Sequence, residues 1–530
     1  MSVLDRAFAA FDRAFAVADR AAEALQRDVL PRFDAGLAAA GPRLDAALAV
    51  ISPGVAQQRA EARRVLARYE GAQTNRFRPV RRDNSTGDVH VDRDAAALRA
   101  TARDLERNHD LARGALNVLV RNIVGPHGIG VEFTPRLQDG TIDTDLADQL
   151  NSLWREWIKR PEVTWQRGWA SACRIACRSW LRDGEMFGQL LPGFVPGLQH
   201  GTVVPFSIEL LEADLVPLDY NRPQDRIRQG VERNAWNRPI AYHVYKSHPG
   251  DLFPAVNTLW PDVKRVGAER IVHPFMSDRI AQTRGVSIFA SVITRLFDTK
   301  DYEESERVAA KVAASMAAYI KKDAGLDVAG TVDAPEERRQ MKFQAGMIFD
   351  DLRPGEEIGT IDTKRPNQNA AEWRNEQLRA ASAGMDVGHS SMAHRYDSNY
   401  SAQRQELVEQ NASYMVLGDE FIGQFARPIV EAFVMTAAVA GLVRVPRNID
   451  LAQLTSAEYR IPPMPWVDPV KEGQGVKLQR ENGTRSVQQI ARERGVDWRD
   501  VVRQNLEHEQ FVREERARLG LPDTAEQTTE

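Results

Sequence analysis

The sequence predicts a mixed α/β protein that is mostly helical. Long segments carry apolar residues at helical spacing with neither glycine nor proline inside; the longest runs from Ser287 to Lys322. Between them lie short β-branched and aromatic runs, Gln189–Leu191, Ser207–Leu211 and Ala241–Tyr245, separated by Pro, Gly and Asn turns. Tryptophan is concentrated in one helical stretch, at Trp154, Trp157, Trp165, Trp169 and Trp180, the pattern of a packed core more than of a ligand cage.

The 530 residues leave room for roughly two to four domains. With 43% apolar and 27% charged residues the composition is that of a globular protein. No unbroken apolar run approaches the ~18 residues of a membrane span. The most apolar stretch, Phe433 to Val443, contains Gly441. Asp5, Asp12, Asp19 and Glu23 interrupt the amphipathic N-terminus as no secretory h-region is interrupted, so a product of the cytoplasm is expected. Cys173 and Cys177 share one helix face and read as two small buried residues. A net charge of −4 lacks the basic excess of a domain that grips phosphate. The chain either avoids nucleic acid or meets it without holding it.

In chain order, residues 1–70 read as helix, with Leu4, Phe8, Phe11 and Phe15 on one face and Pro31, Pro42 and Pro53 as divisions. Arg76, Arg78, Arg81 and Arg82 follow in a loop that reads as solvated, with phosphate contact the alternative. Residues 92–124 read as one helix, opened by the acids Asp92 and Asp94 and stopped at Gly125-Pro126. Residues 145–188 read as two helices, and Gly230 to His243 as a hairpin. The segment Ser287–Lys322 would extend roughly 50 Å as a straight helix. Residues 324–366 read as β-rich, with Arg353-Pro-Gly-Glu356 as a type II turn. Helix returns from Ala370 to Gly384. A polar loop, Gly388–Ser398, precedes another long helix from Ser401 past Gln424. Beyond Pro462-Pro-Met-Pro465 the chain is helical and charged, and from Pro522 it reads as a disordered tail.

Catalytic signatures are missing from this sequence. No GxxxxGK[ST], HExxH or GxSxG occurs, and Gly125-Pro-His-Gly-Ile-Gly130 has the wrong glycine order for a dinucleotide loop. His243 and His248, or His389 and His394, lack metal-ligand spacing and an evident third ligand. The pairs Asp350-Asp351 and Glu356-Glu357 flank an exposed turn and read as a solvated or partner-facing surface. No catalytic residue, metal or cofactor is expected.

Several segments, in this order, resemble the lambda-type family of portal proteins from tailed double-stranded-DNA bacteriophages. They are Tyr69-Glu-Gly-Ala72, Ala102-Arg-Asp-Leu-Glu-Arg-Asn-His109 with Ile123-Val-Gly125, and Trp180-Leu-Arg-Asp-Gly-Glu-Met-Phe187. Leu210-Leu-Glu-Ala-Asp214, Gly230-Val-Glu232, Ile271-Val-His-Pro-Phe275 and Gln282-Thr-Arg-Gly-Val-Ser287 follow. Asn399-Tyr-Ser-Ala-Gln-Arg404 is similar to the family's NYSSxR element, with Ala402 in place of its second Ser. Trp466-Val-Asp-Pro-Val-Lys-Glu472 and Arg494-Gly-Val-Asp-Trp498 complete the set. No single piece is specific; their order and spacing over residues 65–505 are.

The resemblance implies a ring subunit with wing, stem, clip and crown regions, repeated about twelve times around a channel. It divides the chain into an N-terminal helical segment (1–60), wing (61–286), first stem helix (287–323), clip (324–366), second stem helix (367–386), tunnel loop with its following helix (387–425) and crown with tail (426–530). His389, Ser390, Ser391, His394, Arg395 and Asn399 would face double-stranded DNA in the channel, without sequence specificity. Glu336, Glu337, Arg338 and Arg339 of the clip would dock the terminase large subunit and later the head–tail connectors. Further implied partners are other copies of the chain, the major capsid protein and the scaffolding protein, with no membrane. The implied location is the virion, and the host cytoplasm during assembly. A different connector or scaffold protein, and a metal-dependent nuclease, are the rival readings.

Overall fold

The computed structural model describes residues 85–251, 263–314, 318–322, 356–360, 369–396, 399–464, 468–494 and 496–521. The expected N-terminal helix, the arginine loop before residue 85, the turn at 353–355 and the polar tail lie outside them, as do Glu336, Glu337, Arg338 and Arg339. In chain order the elements begin with α1 (Gly87–Asn108), α2 (Asp110–Ile123), β1 (Gly130–Phe133), α3 (Thr144–Trp157) and α4 (Trp169–Asp183). Strands β2 (Phe187–Pro192), β3 (Phe206–Leu211), β4 (Ile227–Arg228), β5 (Val231–Arg233), β6 (Pro239–Tyr245), β7 (Val263–Gly267) and β8 (Ile271–Val272) follow. Then come α5 (Ile293–Ala314), β9 (Ala318–Lys322), β10 (Glu356–Thr360), α6 (Ala370–Gly384), α7 (His389–Ala393) and α8 (Tyr400–Phe421). A π-helical turn, Ile422–Ala426, joins α8 to α9 (Arg427–Val439). Last are α10 (Leu451–Leu454), β11 (Ala457–Arg460), α11 (Pro469–Glu481), α12 (Val487–Glu493) and α13 (Trp498–Arg518). The described fold is mixed α/β and mostly helical, as the patterning predicts.

The sheets are small and antiparallel: β4-β5-β6-β7, β3-β2-β8, β1-β11 and β9-β10. The main core gathers α2, α3, α4 and α9. Trp154, Trp157, Trp169 and Trp180 are all at most 5% exposed. Trp154 stacks on Trp157, and both meet Phe433. The indole N–H groups of Trp157 and Trp169 donate to the carbonyls of Phe206 and Ile129, which removes the cost of burying them. Trp165 departs from the expected stripe: it sits half-exposed with φ +58 in the turn before α4. A second core under the sheets contains Phe187, Val231, Tyr242 and Val266. Cys173 and Cys177 are fully buried on the inner face of α4, as their spacing predicts.

Four boundaries differ from the sequence reading. The helix expected over 92–124 is two helices. It begins at Gly87 and breaks at His109, whose Nε2–H donates to the carbonyl of Leu296. The segment expected to be helical from Ser287 to Lys322 is helical only over Ile293–Ala314, about 33 Å long. Residues before it turn: Ser287 Oγ accepts from the Phe289 N–H, and Phe289 and Val292 are buried in the core. At its far end β9 pairs with β10, from Ala318↔Thr360 to Lys322↔Glu356. Freedom from Gly and Pro did not distinguish helix from strand there; Tyr319 and Ile320 are strand formers. Finally, residues 400–439 form one 40-residue helical run that is long and apolar enough to cross a membrane by length and composition, although none was expected. Half of its most apolar window is buried, with Phe421, Phe425, Val430 and Phe433 in the core, as in a core helix.

α5 and α6 run antiparallel. Ser291 Oγ donates to the carbonyl of Gly384, Arg295 to Gln377 and Arg374 to Glu303, and the Tyr302 and Trp373 rings lie 4.2 Å apart. Close approach at Gly184 and Gly285 fastens α4 to the segment leading into α5. A Cβ on Gly285 would lie 1.9 Å from the Gly184 carbonyl oxygen, and Gly184 adopts φ +84.

Candidate functional site: a buried ionic hub and the segment 388–410

Glu185 follows the glycine that ends α4 and is fully buried. Its carboxylate accepts from Arg284 Nε (2.8 and 2.9 Å), Arg99 Nη2 (2.6 Å), His273 Nε2 (3.1 Å) and the Gly285 backbone N–H (3.0 Å). Arg284, also fully buried, spends its remaining donors on the carbonyls of Gln229 and Ala213 and lies over the Phe187 ring. Arg99 continues to Asp214, Arg103 bridges Asp214 and Asp183, and Arg182 bridges Asp183 and Glu106. Burial alone would raise the Glu185 pKa. The charges of Arg284 and Arg99 and the His273 hydrogen bond outweigh it and hold the carboxyl well below its usual range. Burial pushes the His273 imidazole down, against the pull of Glu185. Both Glu185 oxygens meet donors, and Glu185 and Arg284 are sealed from solvent. The hub can brace elements and has no free base or nucleophile to offer a substrate.

Elements distant in sequence meet at this hub: α1 through Arg99 and Arg103, the α4 end through Asp183 and Glu185, the turn at Asp214, β8 through His273, and the segment before α5 through Arg284. Sequence reasoning had these as separate motif pieces and missed Arg99. Its signal was a lone arginine on a helix face otherwise lined by Val91, Ala95, Ala102 and Leu105.

Glu212, Asp214 and His248 offer ligand atoms within 4.8 Å of one another. Hydrogen bonding makes them a poor metal site. The Gly250 N–H donates to His248 Nδ1, which leaves the proton on Nε2, the nitrogen that faces Glu212 and Asp214. Arg103 Nη2 already stands 2.5 Å from Asp214. A metal would need the lone pair that this tautomer lacks.

The segment 388–398, expected as an irregular polar loop, contains the helical turn α7. Ser390 points inward: its N–H and hydroxyl both donate to Glu406 of α8. Ser391 Oγ donates to Gln410, and Met392 is buried. His389 is half-buried; burial, then the charge of Arg379, keeps its pKa below the usual value. His394 closes α7 with φ +49. His394, Arg395 and Asn399 are exposed, and Asn399 caps α8 by accepting from the Ala402 N–H. The structure thus gathers the six expected residues on one short stretch but commits Ser390 to internal bonding. A cleft of about 170 Å³ between α7 and α8 is lined by Ser390, Tyr396, Tyr400 and Leu407 among others.

The chain is thus a mostly helical α/β subunit braced by a buried ionic hub, with the antiparallel pair α5 and α6 continued by the β9–β10 ladder. The family model for the phage portal protein, lambda family, matches residues 73–417, and the chain belongs to that family. It is therefore a non-enzymatic portal protein of the phage virion. It is 26% identical over 448 residues to a "Probable portal protein" of Halomonas phage phiHAP-1, covering 81% of this chain and 82% of the relative. Two solved structures are also similar. One is a chain from the virion of a native gene transfer agent particle, with a TM-score of 0.43 and 14% identity. The other is from the neck of that particle computed with C12 symmetry, with a TM-score of 0.39 and 15% identity. In both cases 82% of this chain and 94% of the other chain are covered.

Proposed function

We propose that the chain forms a ring of about twelve copies at a capsid vertex. Double-stranded DNA is packaged and ejected through this ring. The chain docks the terminase motor during packaging and the head–tail connector afterwards. The observation that carries this reading is the antiparallel pair α5 and α6, continued by the β9–β10 ladder. That arrangement suits a stem with a clip at its end. Residues 324–366 would face the motor, with Glu336, Glu337, Arg338 and Arg339 as docking charges. His394, Arg395 and Asn399 are the exposed members of the segment that would line the channel. A net charge of −4 supports passage of DNA without a tight phosphate grip.

Native mass spectrometry and negative-stain electron microscopy test the ring. The expected result is closed rings with a central hole. A protein that stays monomeric even with capsid and scaffolding protein present would overturn the reading. Charge reversal at the four docking residues should reduce DNA packaging and leave rings intact; unchanged packaging would remove them as the docking site.

A further inference from the structure

Helix α8 is apolar on both of its sides. Gln410, Tyr414, Gly418 and Phe421 are buried on the inner side, against the core. At 3.6 residues per turn, Val408, Ala412, Met415 and Val416 fall on the opposite, outer side. They are exposed there, Val408 at 46%, Met415 at 54% and Val416 at 64%. An amphipathic helix turns polar residues to water, whereas a helix that is apolar all round is covered all round. The subunit's own fold covers only the inner side of α8, and an exposed apolar stripe on a folded chain marks a contact surface.

The charges around the stripe identify its partner. Glu409, Asp419 and Glu420 flank it, all three exposed, and among the described residues none of their side chains makes a hydrogen bond or ion pair. Arg404, one turn before Val408, is the only basic residue of α8. An acidic margin repels a DNA backbone and suits a basic protein surface. The chain carries such a surface on α2. Arg113, Asn117 and Arg121 are exposed at intervals of four residues and form one stripe along that helix. Arg113 and Arg121 likewise make no ion pair among the described residues, and Asp110, the one acid of α2, accepts from the Leu111 N–H.

The two stripes match in size as well as in sign. Glu409 and Glu420 are about 16 Å apart along α8, and Arg113 and Arg121 about 12 Å apart along α2. The aliphatic stem of an arginine covers apolar surface while its head pairs with a carboxylate. Within one copy the stripes do not meet. α2 packs on the inner side of α8, where the charge of Arg121 reaches Tyr414, and the three acids project from the outer side. Two different surfaces of one chain that fit each other join copies head to tail, the kind of contact that closes into a ring. We infer that the α2 arginine stripe of one copy lies along the outer side of α8 in the next, covering Val408, Ala412, Met415 and Val416 and pairing with the acids beside them. This inference rests on the ring reading above and deepens it by naming one contact between neighbours.

The test is charge exchange in the full chain, with the fraction of chains in rings read by native mass spectrometry and the Tm of each variant measured beside it. Glu409→Arg, Asp419→Arg and Glu420→Arg together should lower the ring fraction roughly tenfold or more, because like charges then face each other across the contact. Arg113→Glu with Arg121→Glu should do the same for the same reason. A chain carrying all five changes should recover rings, since the signs are opposite again. Met415→Ser with Val416→Ser should also lower the ring fraction at an unchanged Tm, which separates a lost contact from lost folding. Rings formed by both charge-reversed chains as readily as by the unaltered chain would overturn the inference and leave the ring reading standing. So would a loss that the five changes together do not repair at an unchanged Tm, or intact rings of the reversed chains that fail only to join capsid and scaffolding protein. Failure of the unaltered chain to form rings would overturn both.

Discussion

Removing the charge of Glu185 is the most direct test of the hub. Glu185→Gln keeps the shape and takes away the counter-charge of Arg284 and Arg99, whose side chains are 0% and 3% exposed. Arg284 then lies in a low-dielectric interior with no anion beside it, and Arg99 keeps only Asp214. Breaking a buried ion pair on one side costs about 3–5 kcal/mol, because the remaining charge is stranded. Domains are stable by only about 5–15 kcal/mol, so the variant should be close to the threshold of folding. With about 2 cal/mol/K of unfolding entropy per residue, the compact unit 85–530 should lose roughly 3–5 °C in Tm. The assay is calorimetry beside urea unfolding followed by tryptophan fluorescence, with Arg93→Ala in the exposed Arg93–Asp94 pair as a control that should not shift. Glu185→Gln combined with Arg284→Met should cost less than the two single changes together, since the double variant strands less charge. Exact additivity, or a Glu185→Gln shift no larger than the control, would refute the brace.

Gly285→Ala should sharply lower soluble yield and stability, because its methyl group meets backbone at 1.9 Å; Gly114→Ala, with nothing within 4 Å on helix α2, should instead add about 0.5–1 kcal/mol, and urea midpoints check both. Burial raises the Cys173 thiol to about 12 and the Cys177 thiol further, so iodoacetamide at pH 8 should label neither until urea unfolds the protein; rapid labelling of the native chain would contradict their burial. Acid should destabilise the fold in two stages. The folded pKa values of His273 and Glu185 both lie below their ordinary 6.5 and 4.5, so each contributes stability that is complete above the ordinary value and declines as pH falls toward the folded one. Tm measured from pH 7.5 to 4 should begin falling near the first value and steepen near the second, and Glu185→Gln should soften the second stage, which Glu106 and Asp214 share; a flat profile would count against the hub.

Much of the helical frame was legible because its signals are local. The paired helices around the tryptophans, the Gly230–His243 hairpin, α6 and the charged C-terminal helices all follow from periodicity and turn residues. The errors arose where a distant partner decides. His109 breaks a strongly helical pattern because the Leu296 carbonyl, far along the chain, is there to accept its proton. Residues 318–322 become a strand because 356–360 lie alongside. Ser390 belongs to the segment that the resemblance assigns to the channel, and only α8 reveals that its N–H and hydroxyl bond to Glu406. Arg99 offered only the signal of a lone arginine on an apolar helix face, and its meaning depends on Glu185 and Asp214.

The same contrast bears on what the family resemblance encodes. Among the quoted segments, Ala102–His109, Trp180–Phe187, Leu210–Asp214, Ile271–Phe275 and Gln282–Ser287 send Arg103, Asp183, Glu185, Asp214, His273 and Arg284 to one buried network. The motifs that make this chain recognisable are thus the ones that brace the subunit's interior. A buried carboxylate shared by two arginines and a histidine tolerates little change, because any single replacement strands a charge. A surface that meets a partner has to match only that partner, and exposed side chains can change with little cost to the fold. Sequence likeness to other portal proteins therefore speaks most strongly for the architecture of the subunit. The contacts that particularise this one have to be sought in surface features outside the quoted segments.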